Sequence, residues 1–279
     1  MRTRFAPSPT GPLHLGHAFS ALTVWDVAKK LGGTALLRIE DTDRARARPA
    51  FEQGIFNDLA WLGLQWPTPV RRQSDQIADY ETALTTLATR GLLYPCSCSR
   101  REILDAGAIA GAEGLVYPGT CRHRTMADAQ QGDALRLNLA ACLAETGALR
   151  SFTELGRGQP VIHEISPDWL LGQLGDPVLK RKDSGDIAYH LACPYDDAHQ
   201  EITHVVRGVD LWGLTPYQVL LQQLMGWNTP QYWHHELITD ASGKRLAKID
   251  KSKALSKYRA EGASPADIRA MIGLPISSC

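Results

Sequence analysis

Arg4-Phe5-Ala6-Pro7-Ser8-Pro9-Thr10-Gly11, followed closely by His14-Leu15-Gly16-His17, decides how this chain folds. Arg2 to Ala6 reads as a short extended segment. The Pro7–Pro12 stretch cannot be helical, because proline lacks the N–H and its ring fixes the backbone. Beyond it Leu15, Ala18, Phe19, Leu22 and Trp25 recur at helical spacing up to Lys30, and Gly32-Gly33 ends that helix. Thr34 to Ile39 is a compact apolar run of strand length. Two strands joined through a helix predict a right-handed βαβ crossover. His14 and His17 then fall in the first helical turn, where backbone N–H groups and the helix dipole favour phosphate. Gly16 between them admits a flat ring or a phosphate close to the backbone.

Working outward, Pro49–Trp61 and Ile77–Thr89 read as further amphipathic helices. The character changes at Leu93-Tyr94-Pro95-Cys96, and residues 95–175 look like an insertion of mixed glycines, cysteines and weak periodicity. Order returns at Pro177, with apolar segments at Ile187–Cys193 and Ile202–Val206 and a helix at Thr215–Met225. The expected organisation is a Rossmann-type half (1–94), the insertion (95–175), a second Rossmann half (176–240) and a closing segment (241–279).

The 279 residues carry 44% hydrophobic and 22% charged side chains, which excludes disorder and fibrous repeats. Thirty basic residues balance thirty acidic ones, so long-range attraction alone does not hold a polyanion. Residues 241–279 hold eight Lys/Arg against three Asp/Glu, a local excess that could touch one. No apolar run reaches the roughly 18–20 residues of a membrane helix, and no signal peptide is visible. The expectation is a cytoplasmic protein with reduced thiols and no membrane partner.

Glu40, Asp41 and Asp43 follow the Thr34–Ile39 strand, and in an open parallel sheet ligands sit beyond the strands' carboxyl ends. Arg4 and Arg207 close separate strand segments, and a fixed guanidinium suits bidentate carboxylate recognition. Cys96-Ser97-Cys98 with Cys121 places three thiols within 26 residues, a set suited to a closed tetrahedral zinc site with one further ligand. His123 is the obvious fourth ligand by chemistry alone. Cys142, Cys193 and Cys279 read as ordinary thiols. The P-loop, the Gly-x-Gly-x-x-Gly fingerprint, the zinc-protease helix and the Gly-x-Ser-x-Gly elbow are all missing from the sequence.

Residues 4–17 resemble the HIGH signature of class I aminoacyl-tRNA synthetases in its glutamyl-branch form. Leu37-Arg38-Ile39-Glu40-Asp41-Thr42-Asp43 is similar to the branch's second strand. Tyr189–Leu191 and Ile202–Asp210 resemble its later strand region, and Lys244-Arg245-Leu246-Ala247-Lys248 sits where the KMSKS loop is expected. Ala247 replaces the usual Ser of that loop, and Arg245 its first Lys. The closer likeness is to a short paralogue within the branch. After Lys248 only 31 residues remain, fewer than the roughly 40 of an unassisted domain, so no anticodon-binding domain is expected.

The resemblance implies a class I α/β fold, a Rossmann-type parallel sheet split by a zinc-bearing insertion, with a short helical C-terminal segment. It implies a ligase-type enzyme that activates L-glutamate with ATP and Mg²⁺, independently of tRNA. The glutamyl group then passes to queuosine at the wobble position of tRNA(Asp). Glu40 is implied as the holder of the amino group. Arg4, Ala6, Ser8, Tyr189 and Arg207 join it in the glutamate pocket. His14, His17 and Lys248 are implied as catalytic residues that also bind ATP together with Gly16. The resemblance points to Tyr117 as the fourth ligand of one structural Zn²⁺ per chain, beside Cys96, Cys98 and Cys121. A monomer is expected. Two other readings are a nucleotidyl-transfer enzyme of the same superfamily acting on small molecules only, and a non-catalytic RNA-binding module.

Overall fold

The computed structural model describes residues 1–156, 159–238 and 253–275. In chain order the strands and helices begin β1 (Arg2–Phe5), α1 (Leu15–Lys30), β2 (Thr34–Ile39), α2 (Pro49–Trp61), β3 (Arg71–Arg72), α3 (Ile77–Thr89), β4 (Leu93–Cys96) and α4 (Arg100–Asp105). They continue with β5 (Ala110–Gly111), β6 (Gly114–Leu115), β7 (Ala134–Leu137), α5 (Leu139–Thr146), β8 (Phe152–Glu154), β9 (Val161–His163) and the single turn α6 (Pro167–Trp169). The remainder are β10 (Val178–Lys180), α7 (Tyr189–His199), β11 (His204–Gly208), α8 (Thr215–Leu224), β12 (Gln231–His235), α9 (Leu255–Ala260) and α10 (Pro265–Met271). Among the described residues no helix is long and apolar enough to cross a membrane.

The chain forms two compact units. The first comprises residues 1–75, 202–211 and 232–279. Its sheet is parallel, in the order β1-β2-β3, with Arg4 opposite Leu36 and Phe5 opposite Leu37. Helix α1 makes the crossover from β1 to β2 and buries Ala18, Leu22, Val24 and Val27 against the sheet, in one core with Phe5, Leu37 and Ile39. The chain entering β11 is fixed beside the start of β1: Thr203 N–H donates to the Arg2 carbonyl (2.9 Å) and Arg2 N–H to Thr203 Oγ1 (2.8 Å). Val206 joins the same core, as do Leu255 of α9 and Ile268 of α10. Arg269 locks α10 to α1 through both oxygens of Asp26, each at 2.8 Å.

The second unit comprises residues 76–201 and 212–231. Strand β7 lies between β10 and β4 in an antiparallel sheet, with Cys96 opposite Ala134. Tyr80 of α3 hydrogen-bonds both carboxylate oxygens of the buried Asp196 on α7 (2.9 Å each). One sequence expectation is corrected here, since Tyr189–Leu191 opens a helix rather than lying in a strand region. Pro194 lies inside that helix and has no N–H for the His190 carbonyl. The Tyr217 hydroxyl of α8 donates to that carbonyl instead (3.1 Å), which makes the proline tolerable.

Candidate active site and metal site

The carboxyl ends of β1 and β2 are stitched together by the Pro-rich turn. Glu40 follows β2 directly; its N–H donates to the Pro7 carbonyl (3.1 Å), and the Ser8 hydroxyl donates to the Glu40 carbonyl (2.7 Å). Both backbone groups of Glu40 are thereby held by the turn that carries Ala6 and Ser8. The Glu40 carboxylate meets Arg38 at 3.4 Å, and Arg38 is fully buried. Sequence reading passed over Arg38. Its signal was the spacing, since residues two apart on a strand share a face. Asp41 instead accepts from the Ser74 N–H (2.8 Å) and hydroxyl (2.6 Å), and Asp43 pairs with Arg46 (2.7 Å).

Arg4 on β1 and Arg207 on β11 are both 4% exposed. A guanidinium fixed near a strand end offers a fork whose geometry matches a carboxylate. Arg207 is oriented by its Nε–H, which donates to His234 Nε2 (3.1 Å), and its guanidinium lies over the Tyr232 ring at 5.5 Å. Tyr189, implied for the same pocket, stands at the first turn of α7 in the second unit.

At the start of α1, His14 is the N-cap and His17 the third helical residue. Gly16 N–H donates to His14 Nδ1 (3.0 Å) and His14 N–H to His17 Nδ1 (3.2 Å). Each Nδ1 is therefore an acceptor, so a neutral ring must carry its proton on Nε2. Burial lowers the pKa of both rings, and the neighbouring His14 adds to the effect at His17, which falls to about 3. At neutral pH the pair presents two uncharged Nε2–H donors, with ring centroids 3.9 Å apart. The reason for Gly16 also changes. A Cβ there would lie 2.9 Å from His14 Cε1, so the ring that approaches this backbone is His14's own, and the Gly16 N–H is already used. Downstream, Ala254 forms a β-bridge with His14, and Leu255 N–H donates to the Leu13 carbonyl (2.8 Å). Lys248, with Lys244, Arg245 and Ala247, lies outside the described residues, as does Cys279.

In the second unit the sulfurs of Cys96, Cys98 and Cys121 lie within 4.8 Å of one another, with Cys98 and Cys121 3.4 Å apart. The Tyr117 phenol oxygen is 3.4 Å from both Cys96 and Cys98 and accepts from the Cys121 N–H at 2.9 Å. Zinc with thiolates at about 2.3 Å and an oxygen at about 2.0 Å in a tetrahedron gives S···S near ~3.8 Å and S···O near ~3.5 Å. The cluster fits that ion. His123 is exposed and stands outside the cluster. Burial raises the Cys98 thiol to about 11, with Cys121 and Cys96 beside it adding to the rise. Burial also works against ionisation of Cys121, but hydrogen bonds from Tyr117, the Ser97 backbone and the neighbouring thiols hold it at about 6. Behind the cluster Arg136 lies 3.9 Å over the Tyr117 ring. Asp176, fully buried, accepts from the Tyr94 hydroxyl (2.6 Å), Arg122 Nε (2.7 Å) and the Leu139 N–H (3.0 Å). Cys142 and Cys193 are buried thiols outside any disulfide, the first raised to about 12 by burial and the nearby Asp176 and Glu145, the second donating to Asp197 Oδ2 (3.8 Å).

Against known families, residues 1–275 match the model of the class I tRNA synthetase catalytic domain, E and Q type. A protein from Rhodobacter capsulatus named glutamyl-Q tRNA(Asp) synthetase is 52% identical over 98% of this chain and 100% of its own length. One of the same name from Nitratidesulfovibrio vulgaris is 38% identical over 98% of this chain and 86% of its own. The crystal structure of glutamate-tRNA synthetase from Elizabethkingia anophelis superposes with a TM-score of 0.74 at 28% identity, covering 98% of this chain. This chain spans about three fifths (61%) of that longer protein.

Proposed function

This chain belongs to the catalytic-domain family of the class I glutamyl and glutaminyl tRNA synthetases, a family of ligases, and we propose that it activates L-glutamate with ATP and delivers it to queuosine of tRNA(Asp). One observation carries this reading. The described part of the first unit holds two neutral imidazoles at the start of α1, a carboxylate just past β2 and two buried arginines on β1 and β11, which supports it. Proteins that share up to 52% of its residues and carry a glutamyl-Q tRNA(Asp) synthetase name support the acceptor.

In the first step the α-carboxylate of glutamate attacks the α-phosphorus of ATP. A carboxylate–phosphate bond forms, the bond to the β-phosphate breaks and pyrophosphate leaves. The attacking carboxylate is already ionised, so no general base is required. Nε2–H of His14 and His17 donate to phosphate oxygens where charge accumulates, as uncharged and preoriented dipoles. Lys248 supplies the compensating positive charge. It precedes Ala254, which is bridged to His14, by six residues, a stretch that reaches at most about 20 Å. ATP arrives as its Mg²⁺ complex.

Glu40 holds the amino group, with Ala6 and Ser8 on the turn that fixes it. Arg4 and Arg207 hold glutamate's carboxylates, each charged hydrogen bond contributing roughly 1.5–3 kcal/mol. Glutamine, with a neutral side chain, forfeits much of that. In the second step a hydroxyl of the cyclopentene diol attacks the acyl carbon, loses its proton and displaces AMP. Cys96, Cys98, Cys121 and Tyr117 hold one structural zinc that pins the segment from β4 to β7.

The test is transfer of radiolabelled glutamate to tRNA(Asp) with and without its queuosine. Label only on the queuosine-containing RNA is expected. Label on neither, or on both equally, contradicts the proposal.

A further inference from the structure

Three arginines surround the loop that carries Tyr117 and Cys121, and their charges are compensated differently. Arg122 lies against Gly119, where a Cβ would meet its guanidinium carbon at 2.9 Å, and pairs with the buried Asp176 at 2.7 Å. Arg124 hydrogen-bonds Cys121 and pairs with Asp133, also at 2.7 Å. Arg136 is half-buried and differs from both. Its Nη1–H donates to the main-chain carbonyl of Asp176 (2.8 Å), and among the described residues no carboxylate forms an ion pair with it. The Asp176 carboxylate is taken up by Tyr94, Arg122 and the Leu139 N–H. A cation drawn out of water without a counter-charge is costly.

The register of the sheet shows where that charge is aimed. In the antiparallel pairing of β7 with β4, Arg136 stands opposite Tyr94, and Ala134 opposite Cys96. Paired residues share a face, as do residues two apart along a strand. Arg136 therefore lies on the face that presents Cys96, one diagonal step away from it. Its guanidinium sits 3.9 Å from the centroid of the Tyr117 ring, whose oxygen is 3.4 Å from both Cys96 and Cys98. Tyr94 stacks on the same ring, with centroids 6.5 Å apart. Three thiolates outweigh the two positive charges of Zn²⁺, so the loaded cluster is an anion. Cys96 and Cys121 are buried, and a desolvated anion needs a cation close by.

We propose that Arg136 is the counter-charge of the metal centre, raising its zinc affinity by balancing the thiolate cluster across the Tyr117 ring. The inference rests on the reading of Cys96, Cys98, Cys121 and Tyr117 as zinc ligands. Arg122 and Arg124 already have carboxylates to balance them, whereas the charge of Arg136 is balanced when the cluster is loaded.

The test is competition for Zn²⁺ between the full chain and a chromophoric chelator. Arg136→Gln keeps a donor for the Asp176 carbonyl but not the charge, and should bind zinc about ten- to a hundredfold more weakly than the parent. Arg136→Lys keeps the charge and should recover most of that loss. Parent affinity in Arg136→Gln overturns the proposal. A loss as large in Arg136→Lys as in Arg136→Gln also overturns it, since shape rather than charge would then be what counts. Should Arg136→Gln fail to fold, Arg136→Met, a neutral chain of similar length, gives the same comparison. Zinc lost in Cys98→Ser but held undiminished in Arg136→Gln sinks this inference and leaves the ligand reading standing. A parent chain that takes up no zinc sinks both.

Discussion

Gly16→Ala separates the catalytic geometry of the histidine pair from the stability of the helix that carries it. The added methyl would sit 2.9 Å from His14 Cε1 and 3.1 Å from Nδ1. The imidazole must swing away and lose the 3.0 Å bond from the residue-16 N–H. A neutral hydrogen bond of this kind contributes about 0.5–1.5 kcal/mol, while alanine gains about 1 kcal/mol over glycine within a helix. These nearly cancel, so thermal unfolding should change little. The chemistry should not survive as well, because the swing takes Nε2–H away from its aim. Losing one preorganised donor costs about 2.7–4 kcal/mol, or 10²–10³ in rate. Glutamate-dependent exchange of pyrophosphate into ATP reads this directly, with a melting curve on the same preparation. Exchange within about threefold of the parent, far short of the loss expected of a preorganised donor, would refute the role given to His14.

His17 gives a pH signature. Its folded pKa, about 3, lies below the ordinary 6.5, so the stability involved is intact above pH 6.5 and is lost as pH falls toward 3. The slope is about 1.4 kcal/mol per unit, or about 2 kcal/mol between pH 6.5 and 5. Urea melts at pH 7.5 and 5 should show that loss in the parent and a shallower one in His17→Asn; equal losses would contradict the burial argument. Cys98→Ser should bring bound zinc toward zero and weaken RNA transfer more than adenylation, read by elemental analysis and the two assays; full zinc occupancy would show the ligand set is wrong. Lys248→Ala should remove most pyrophosphate exchange, about 10²–10³, with an unchanged melting curve; unaltered exchange takes the lysine out of the mechanism.

The opening βαβ unit was legible because each element carries its own period or breaker. Leu15–Lys30 keeps one face at helical spacing, Gly32 takes a positive φ past its end, and Thr34–Ile39 is a short run that is apolar but for Thr34 and Arg38. Tyr189–Leu191 was not legible, since its helix depends on a hydroxyl from Tyr217, 27 residues away in sequence, to satisfy the His190 carbonyl. The two-residue strands β5 and β6 leave no periodicity to read; Gly111 is needed there because Gln173 approaches its backbone. Within the site, spacing picked out His14 and His17, while among Glu40, Asp41 and Asp43 only the resemblance singled out Glu40. The tautomers, the use of the Gly16 N–H and the buried Arg38 behind Glu40 come only from three-dimensional contacts. The three cysteines were visible as a set, and the resemblance pointed to Tyr117 over His123; the structure adds the positions, with the Tyr117 phenol beside the sulfurs and His123 exposed.

The most direct test of the account is a crystal structure with a non-hydrolysable glutamyl-adenylate analogue. Its phosphate should lie within hydrogen-bonding distance of Nε2 of His14 and His17, with the glutamyl side-chain carboxylate on an arginine at a strand end and its ammonium beside Glu40. An analogue bound away from those groups, or with its glutamyl carboxylate touching neither Arg4 nor Arg207, would contradict it.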